Sequence, residues 1–243
     1  MDIPTRAWFA APTGRPFSAS FAERRRMVAR SPNPQKYYAC RSFTRYMVIT
    51  TQRLMLRPWT ECDITPFAVA NADPEVRRYY YPSVLTRDET AAIIADCTRH
   101  LHKYGFGFMA VERLTDKALL GGLGLSRTDD AIPGGPHVEI GWILARPYWR
   151  QGYAFEAASA CLQYACATLG LAEVIGYTSR INRPSRTLME KLGMRSDPAE
   201  DFSDVTVPEG NPLRPHVLYR IHGNVDYGAE KNFSCRRQTR ARA

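Results

Sequence analysis

The residues best suited to chemistry fall in one stretch, Ala145-Arg146-Pro147-Tyr148-Trp149-Arg150-Gln151-Gly152-Tyr153-Ala154-Phe155-Glu156-Ala157. A strand-like run from His137 to Leu144 precedes it, and an amphipathic pattern from Ala154 to Leu169 follows it. A glycine turn opening straight into a helix leaves several backbone N–H groups without acceptors and aims them at one spot. Those donors and the positive end of the helix dipole together attract an anion. A pyrophosphate cradle is one reading of the stretch, and a plain strand-to-helix turn is the other. Further along, Asn182-Arg183-Pro184-Ser185 opens a second helix that closes at Lys191-Leu192-Gly193-Met194. Asn182 offers an amide donor and acceptor, and Ser185 a hydroxyl that can do either. In a sheet with parallel neighbours, two such helix starts lie side by side outside the strand ends, where ligands collect. A ligand with a pyrophosphate and an amide-bearing arm finds partners at both places.

Positioning these residues takes a sheet. The segment 47–51 begins the ordered pattern, and Arg53 to Trp59 alternates polar and apolar residues as a strand does. Asp63 is placed to cap a helix through Ala70, with a second helical piece from Asp73 to Tyr79. Thr86 and Glu89 have capping-box spacing, and the helix they open runs to about Lys103 with Ala92, Ile93, Cys97 and Leu101 on one side. Strands follow at Gly105–Glu112, Ala118–Ser126, Val138–Leu144, Glu173–Thr178 and Arg214–Ile221, with Asp129–Pro136 a Gly/Pro-rich loop. Pro184 is tolerated in the first turn of the second helix, and Gly193 stands just past its end. Strands alternating with helices predict one α/β domain built on a mixed sheet.

The 243 residues carry a net charge of +9, but the charge is concentrated at the ends. Residues 1–46 hold +7 and 223–243 hold +3, whereas 47–222 hold −1. The expected organisation is a basic extension (1–46), a domain (47–222) and a basic tail (223–243). Met47 is a candidate for the true start. No nucleic-acid partner is expected beyond non-specific contacts of the ends. Six cysteines without a CxxC pair read as reduced thiols of a cytoplasmic protein. His100-Leu101-His102 has no partner cluster, so no metal is expected. No apolar run nears the roughly 20 residues a membrane span needs.

Four pieces in this order resemble the GNAT superfamily of N-acetyltransferases, most closely its RimJ/RimL-type ribosomal-protein N-terminal branch. They are Thr51-Gln52-Arg53-Leu54-Met55-Leu56-Arg57, Glu139-Ile140-Gly141-Trp142, Tyr148-Trp149-Arg150-Gln151-Gly152-Tyr153-Ala154, and Asn182-Arg183-Pro184-Ser185 with Lys191-Leu192-Gly193-Met194. The family's cofactor loop reads Gln/Arg-x-x-Gly-x-Gly/Ala. Gln151 to Ala154 fit its last positions, while Trp149 replaces the Gln/Arg. The resemblance implies a mostly antiparallel sheet that splays between its fourth and fifth strands. It also implies acetyl-CoA as co-substrate, its pyrophosphate on Arg150, Gln151, Gly152, Tyr153 and Ala154. The pantetheine arm would lie on the backbone of Ile143, Leu144 and Ala145 and on Asn182.

Acyl transfer to an amine needs a neutral amine, a stabilised oxyanion and a protonated leaving thiol. By resemblance, Ser185 donates that proton. Glu139, whose strand borders the cleft, is the candidate general base, directly or through a water; a solvent-facing or ion-paired residue is the alternative. Tyr81, Trp142 and Tyr219 are candidates for the acceptor site or for aromatic core. The expected acceptor is a protein N-terminal amine. The alternatives are a small amine, such as an antibiotic or polyamine, met by the acidic run Asp197, Glu200, Asp201 and Asp204, or a CoA-binding module without turnover. Oligomeric state, monomer or homodimer, is left open.

Overall fold

The computed structural model describes residues 46–128 and 132–223. The expectations for 1–45, 129–131 and 224–243, including the two basic ends, Cys40 and Cys235, lie outside the described residues. Among the described residues nine strands and four α-helices follow in the order β1 (Ile49–Thr50), β2 (Leu54–Arg57), α1 (Ile64–Ala72), α2 (Arg87–Tyr104), β3 (Phe108–Arg113), β4 (Leu119–Arg127), β5 (Val138–Leu144), α3 (Tyr153–Ala167), β6 (Glu173–Ser179), α4 (Arg183–Lys191), β7 (Arg195–Ser196), β8 (Phe202–Ser203) and β9 (Pro215–His222). The sheet runs β1-β2-β3-β4-β5-β6-β9-β7, with β8 added on β9. Every neighbouring pair is antiparallel except β5 and β6. The α/β reading with a mixed, mostly antiparallel sheet holds. The three strands beyond the six expected are two-residue pieces, too short to show a period.

Side chains alternate across the pleat, and both faces of the sheet are covered. Met109 and Val111 of β3 pack with Ala157, Cys161 and Leu162 of α3, while Phe108 and Ala110 pack with Phe67 of α1 and Cys97 of α2. Two-sided burial is why β3 and β4 read as nearly continuous apolar runs. Gly121 in β4 has φ 144°, and a Cβ there would stand 2.2 Å from the carbonyl oxygen of Ile143, so β4 and β5 approach closely only with glycine at this position.

The helix α2 opens with the Thr86–Glu89 capping box. Its buried face is Thr90, Ile94, Cys97, His100 and Leu101; Ala92 is exposed and Ile93 half-buried, so the expected face is rotated. The stretch from Asp73 to Tyr79 forms turns rather than a second helical piece. His100 lies buried between two backbone groups. Its Nε2 accepts from the Arg127 N–H, so its Nδ1–H donates to the Phe106 carbonyl, and burial brings its pKa down to about 4. It is a neutral core histidine, and no group of three or more metal-ligating side chains occurs among the described residues. No described helix is long and apolar enough to cross a membrane. Cys62, Cys97, Cys161 and Cys166 are free thiols.

Asp63 does not cap α1 with its side chain. Its carboxylate instead grips the Arg57 guanidinium in a two-pronged pair (2.7 and 2.9 Å) and accepts from the Thr60 N–H and hydroxyl, while Arg57 Nε reaches Glu112 at 2.7 Å. Burial pushes the Asp63 pKa up, but the Arg57 and Thr60 hydrogen bonds outweigh it and hold the group below its ordinary value. A depressed folded pKa contributes stability above the unfolded value that is lost as pH falls through the folded one. The urea midpoint of the wild type should therefore fall more steeply below about pH 4 than that of Asp63→Asn. Parallel curves for the two proteins would remove Asp63 from the acid transition.

Candidate active site

The two neighbours β5 and β6 share a single register pair, Glu139 with Ile175. Beyond it they part. The direction of the β5 backbone groups follows from its other neighbour. Thr128 N–H donates to the His137 carbonyl and Ala145 N–H to the Leu120 carbonyl, so the odd-numbered residues of β5 face β4. The main-chain groups of Trp142 and Leu144 therefore face the gap toward β6. Both carbonyls there are capped by side chains: Tyr80 O–H donates to Trp142 at 3.1 Å, and the Trp149 indole N–H donates to Leu144 at 2.7 Å. The N–H groups of Trp142 and Leu144 are left toward the gap. Ile143 and Ala145, by the same alternation, are turned to β4.

At the gap's open end, β5 passes through a short 3-10 turn, Arg146–Tyr148, into α3. Arg150 (φ 58°) and Gly152 (φ 81°) are both left-handed, flanking Gln151. Backbone of this kind builds anion-binding nests. A left-handed residue other than glycine costs about 1–2 kcal/mol, so Arg150 carries strain at a loop that a helix start already makes electropositive. The first backbone bond returning to the turn is Glu156 N–H to the Gly152 carbonyl, so the N–H groups just before it are the helix's open donors. Arg53, in the bend just before β2, lies against this turn. Its Nη1 donates to the Gln151 carbonyl at 3.0 Å, and its guanidinium stacks 4.5 Å over the Tyr153 ring. A Cβ on Gly152 would sit 3.3 Å from Arg53 Nη2. Glu156 holds Arg53 in place by accepting from its backbone N–H (2.9 Å) and Nε (2.6 Å), and also accepts from the Thr51 hydroxyl. The acid in the first turn of α3 is thus a tie between α3 and the segment leading into β2, more than a dipole partner. Splayed strands, open helix donors and a flanking cation fit a CoA molecule.

The second helix start meets this gap from the β6 side. Asn182 is buried and caps α4, its Oδ1 accepting from the Ser185 N–H. Its Nδ2 donates to Thr178 Oγ1 (2.8 Å) and Ser185 Oγ (3.1 Å). The amide is engaged inside the protein, where the resemblance had it holding the ligand arm. Ser185 Oγ also accepts from the Trp142 indole N–H at 3.3 Å. A hydroxyl has two acceptor lone pairs and one hydrogen. With two N–H donors aimed at the oxygen, donation is the function left to it.

Glu139, Trp142, Asn182 and Ser185 line one cavity of about 120 Å³ between β5 and β6. Glu139 lies across from Ser126 in the β4–β5 ladder, and the Ser126 hydroxyl donates to its carboxylate at 2.7 Å. The third wall is the Tyr79-Tyr80-Tyr81 segment. Tyr80 is half-buried with its hydroxyl turned inward, and desolvation pushes its pKa up to about 12 and keeps that hydroxyl a donor. Arg77, fully buried, clamps this segment by donating to the carbonyls of Pro82 and Ser83 (3.1 Å each) and lying 4.5 Å from the Tyr80 ring.

Residues 53–195 match the family described as the acetyltransferase (GNAT) domain. The chain belongs to the GNAT family. It is an acetyl-CoA-dependent N-acetyltransferase. Among its relatives, the uncharacterized N-acetyltransferase YnaD of Bacillus subtilis is 30% identical over 176 residues, 72% of this chain and 96% of YnaD. A GNAT acetyltransferase structure from Bacillus anthracis has 26% identity and a TM-score of 0.61 over 73% of this chain and 99% of its own. Two Vibrio cholerae structures share the fold at lower identity. A putative ribosomal-protein-serine acetyltransferase (19%, TM-score 0.56) covers 72% of this chain and 97% of its own. A spermidine N-acetyltransferase in complex with CoA and spermine (18%, TM-score 0.56) covers 70% and 95%.

Of the aromatic candidates, Tyr81 and Trp142 line the GNAT cleft, whereas Tyr219 is buried elsewhere with its hydroxyl between Arg186 and Glu190. The acidic run is largely engaged: Asp197 caps a 3-10 turn, Glu200 pairs with Arg220 and Asp201 with Arg180. Only its last member, Asp204, lines the cavity. Sequence reasoning missed Arg53, Tyr80 and Arg77. No spacing rule links Arg53 to Glu156 over 103 positions, and a buried arginine leaves no pattern. Gly152→Glu would put a carboxylate and a Cβ into the cradle at a left-handed position. By calorimetry its dissociation constant for acetyl-CoA should rise about tenfold or more with the fold intact. An unchanged constant would move the phosphates elsewhere.

Proposed function

We propose that residues 47–222 carry out direct transfer of an acetyl group from acetyl-CoA to a primary amine bound in the same cleft. Acetyl-CoA supplies the activated acetyl as a thioester. The open N–H groups and nest of residues 150–154, with the charges of Arg53 and Arg150, hold its diphosphate. The N–H groups of Leu144 and Trp142 meet the amide carbonyls of its arm. This narrows the expected contacts of Ile143, Leu144 and Ala145 to the one whose backbone faces the gap, joined by Trp142.

Glu139, oriented by Ser126, takes the proton that the attacking amine must lose, directly or through a water. Carbon–nitrogen bond formation and carbon–sulfur cleavage leave a thiolate that Ser185 protonates. Asn182 and Trp142 position that hydroxyl, so both act on the reaction through Ser185. The observation that carries this reading is the pair of N–H donors on Ser185 Oγ, which turns its one hydrogen outward. The RimJ/RimL-type branch is supported by the sequence pieces and by the fold shared with the putative ribosomal-protein-serine acetyltransferase. That branch suggests a protein N-terminal amine as acceptor. A small amine is favoured instead by the tyrosine- and carboxylate-lined cavity.

Ser185→Ala removes the proton donor and leaves the cradle intact. Its kcat should fall about 100-fold while acetyl-CoA affinity stays essentially the same. Equal turnover in the variant would reduce Ser185 to a capping group. Glu139→Gln should likewise lower kcat about 100-fold with acetyl-CoA affinity essentially unchanged. A variant that keeps the wild-type kcat excludes Glu139 as the base.

A further inference from the structure

The walls of the cavity at the acceptor side carry charge of one sign. Among the described residues its lining includes Glu139 and Asp204 and no lysine or arginine, in a chain whose net charge is +9. His216, also in the wall, donates Nδ1–H to the Arg214 carbonyl, and burial lowers its pKa, so it adds no positive charge at neutral pH. Several arginines close in sequence to this wall are turned to other partners: Arg78 to Glu75, Arg180 to Asp201, Arg186 to the Tyr219 hydroxyl and Arg214 to the Val207 carbonyl. Asp204, unlike Glu200 and Asp201, has no ion-pair partner among the described residues. One of its oxygens accepts from the Thr206 N–H (2.8 Å) and hydroxyl (2.6 Å), which fixes the carboxylate in place.

The other walls are aromatic. Tyr79, Tyr80, Tyr81, Trp142 and Tyr177 all line the cavity. Ring faces beside a fixed carboxylate attract an organic cation, since the quadrupole and the charge act in the same sense. A fully neutral acceptor gains nothing from either. The lining also places the two carboxylates on different elements, Glu139 on β5 and Asp204 in the loop between β8 and β9. One carboxylate serves the reacting nitrogen, and the other has a positive group of its own to hold.

We propose that the acceptor is a small amine bearing a second positive group, a diamine or a guanidino-amine. Its second cation lies between Asp204 and the aromatic wall, and its reacting amine faces Glu139. This assignment rests on the transfer chemistry proposed above and adds the substrate class to it.

The test uses the full chain with acetyl-CoA and four probes: diaminobutane, agmatine, pentylamine and a serine-initiated peptide. Thiol release and product mass are the readouts. Diaminobutane or agmatine should exceed pentylamine and the peptide in kcat/KM by about tenfold or more, and Asp204→Asn should bring that ratio to near one, mainly through KM of the dication. Pentylamine or the peptide equalling the dications in the wild type overturns the inference and leaves the transfer chemistry standing. So does an Asp204→Asn variant that keeps the ratio. Acetyl-CoA binding by calorimetry with no transfer to any probe refutes both the acceptor class and the roles given to Glu139 and Ser185.

Discussion

One register pair decides how this molecule works. β5 and β6 bond at Glu139 and Ile175 and then diverge, so the middle of a well-covered sheet contains a gap lined by main-chain groups. Elsewhere in the sheet those groups are matched by neighbours, as buried backbone must be. Here the two carbonyls of β5 are capped by Tyr80 and Trp149, while the N–H groups face the opening. The gap is thereby turned from a general hole in the sheet into a row of donors. Everything else converges on its rim: α3 brings its open first turn, α4 its capped hydroxyl, and the tyrosine segment closes the third side.

The sequence showed much of this frame. Alternation located β2, and apolar runs between turn residues located the other five principal strands, because burial on both faces makes them apolar throughout. The caps at Thr86 and Asn182 were legible because capping is local, a matter of residues three apart. The turns from Asp73 to Tyr79 read wrongly as helix, since their shape comes from Arg77 reaching carbonyls that follow it, a contact no helical period encodes. The face of α2 was rotated for a related reason: His100 and Thr90 are polar, and hydrophobic spacing does not count them as core.

At the site, residue types were easier to read than partners. Glu139, Gly152, Asn182 and Ser185 were all singled out, and all lie at the gap. What each side chain touches was a different matter. The resemblance gives Asn182 a ligand arm to hold; in the fold it lines the cavity with its N–H groups on two neighbouring hydroxyls, partners that its residue type does not reveal. Ile143, Leu144 and Ala145 were taken as one backbone surface, and the pleat divides them between two neighbours. The tie of Arg53 to Glu156 depends on strands meeting helices across the whole domain, which only the folded chain reveals.

That tie also orders events in time. The cradle is local in sequence, a few residues between a strand and a helix, yet its flanking cation arrives from just before β2, at the start of the domain. Contacts that close so long a stretch of chain form late, after the loop entropy has been met by the intervening core. The guanidinium, made well before the helix start it completes, thus reaches its place only when the core between them has formed. Cofactor capacity would then appear as one of the last acts of folding, and CoA bound at that stage would add its own stabilisation to the finished domain.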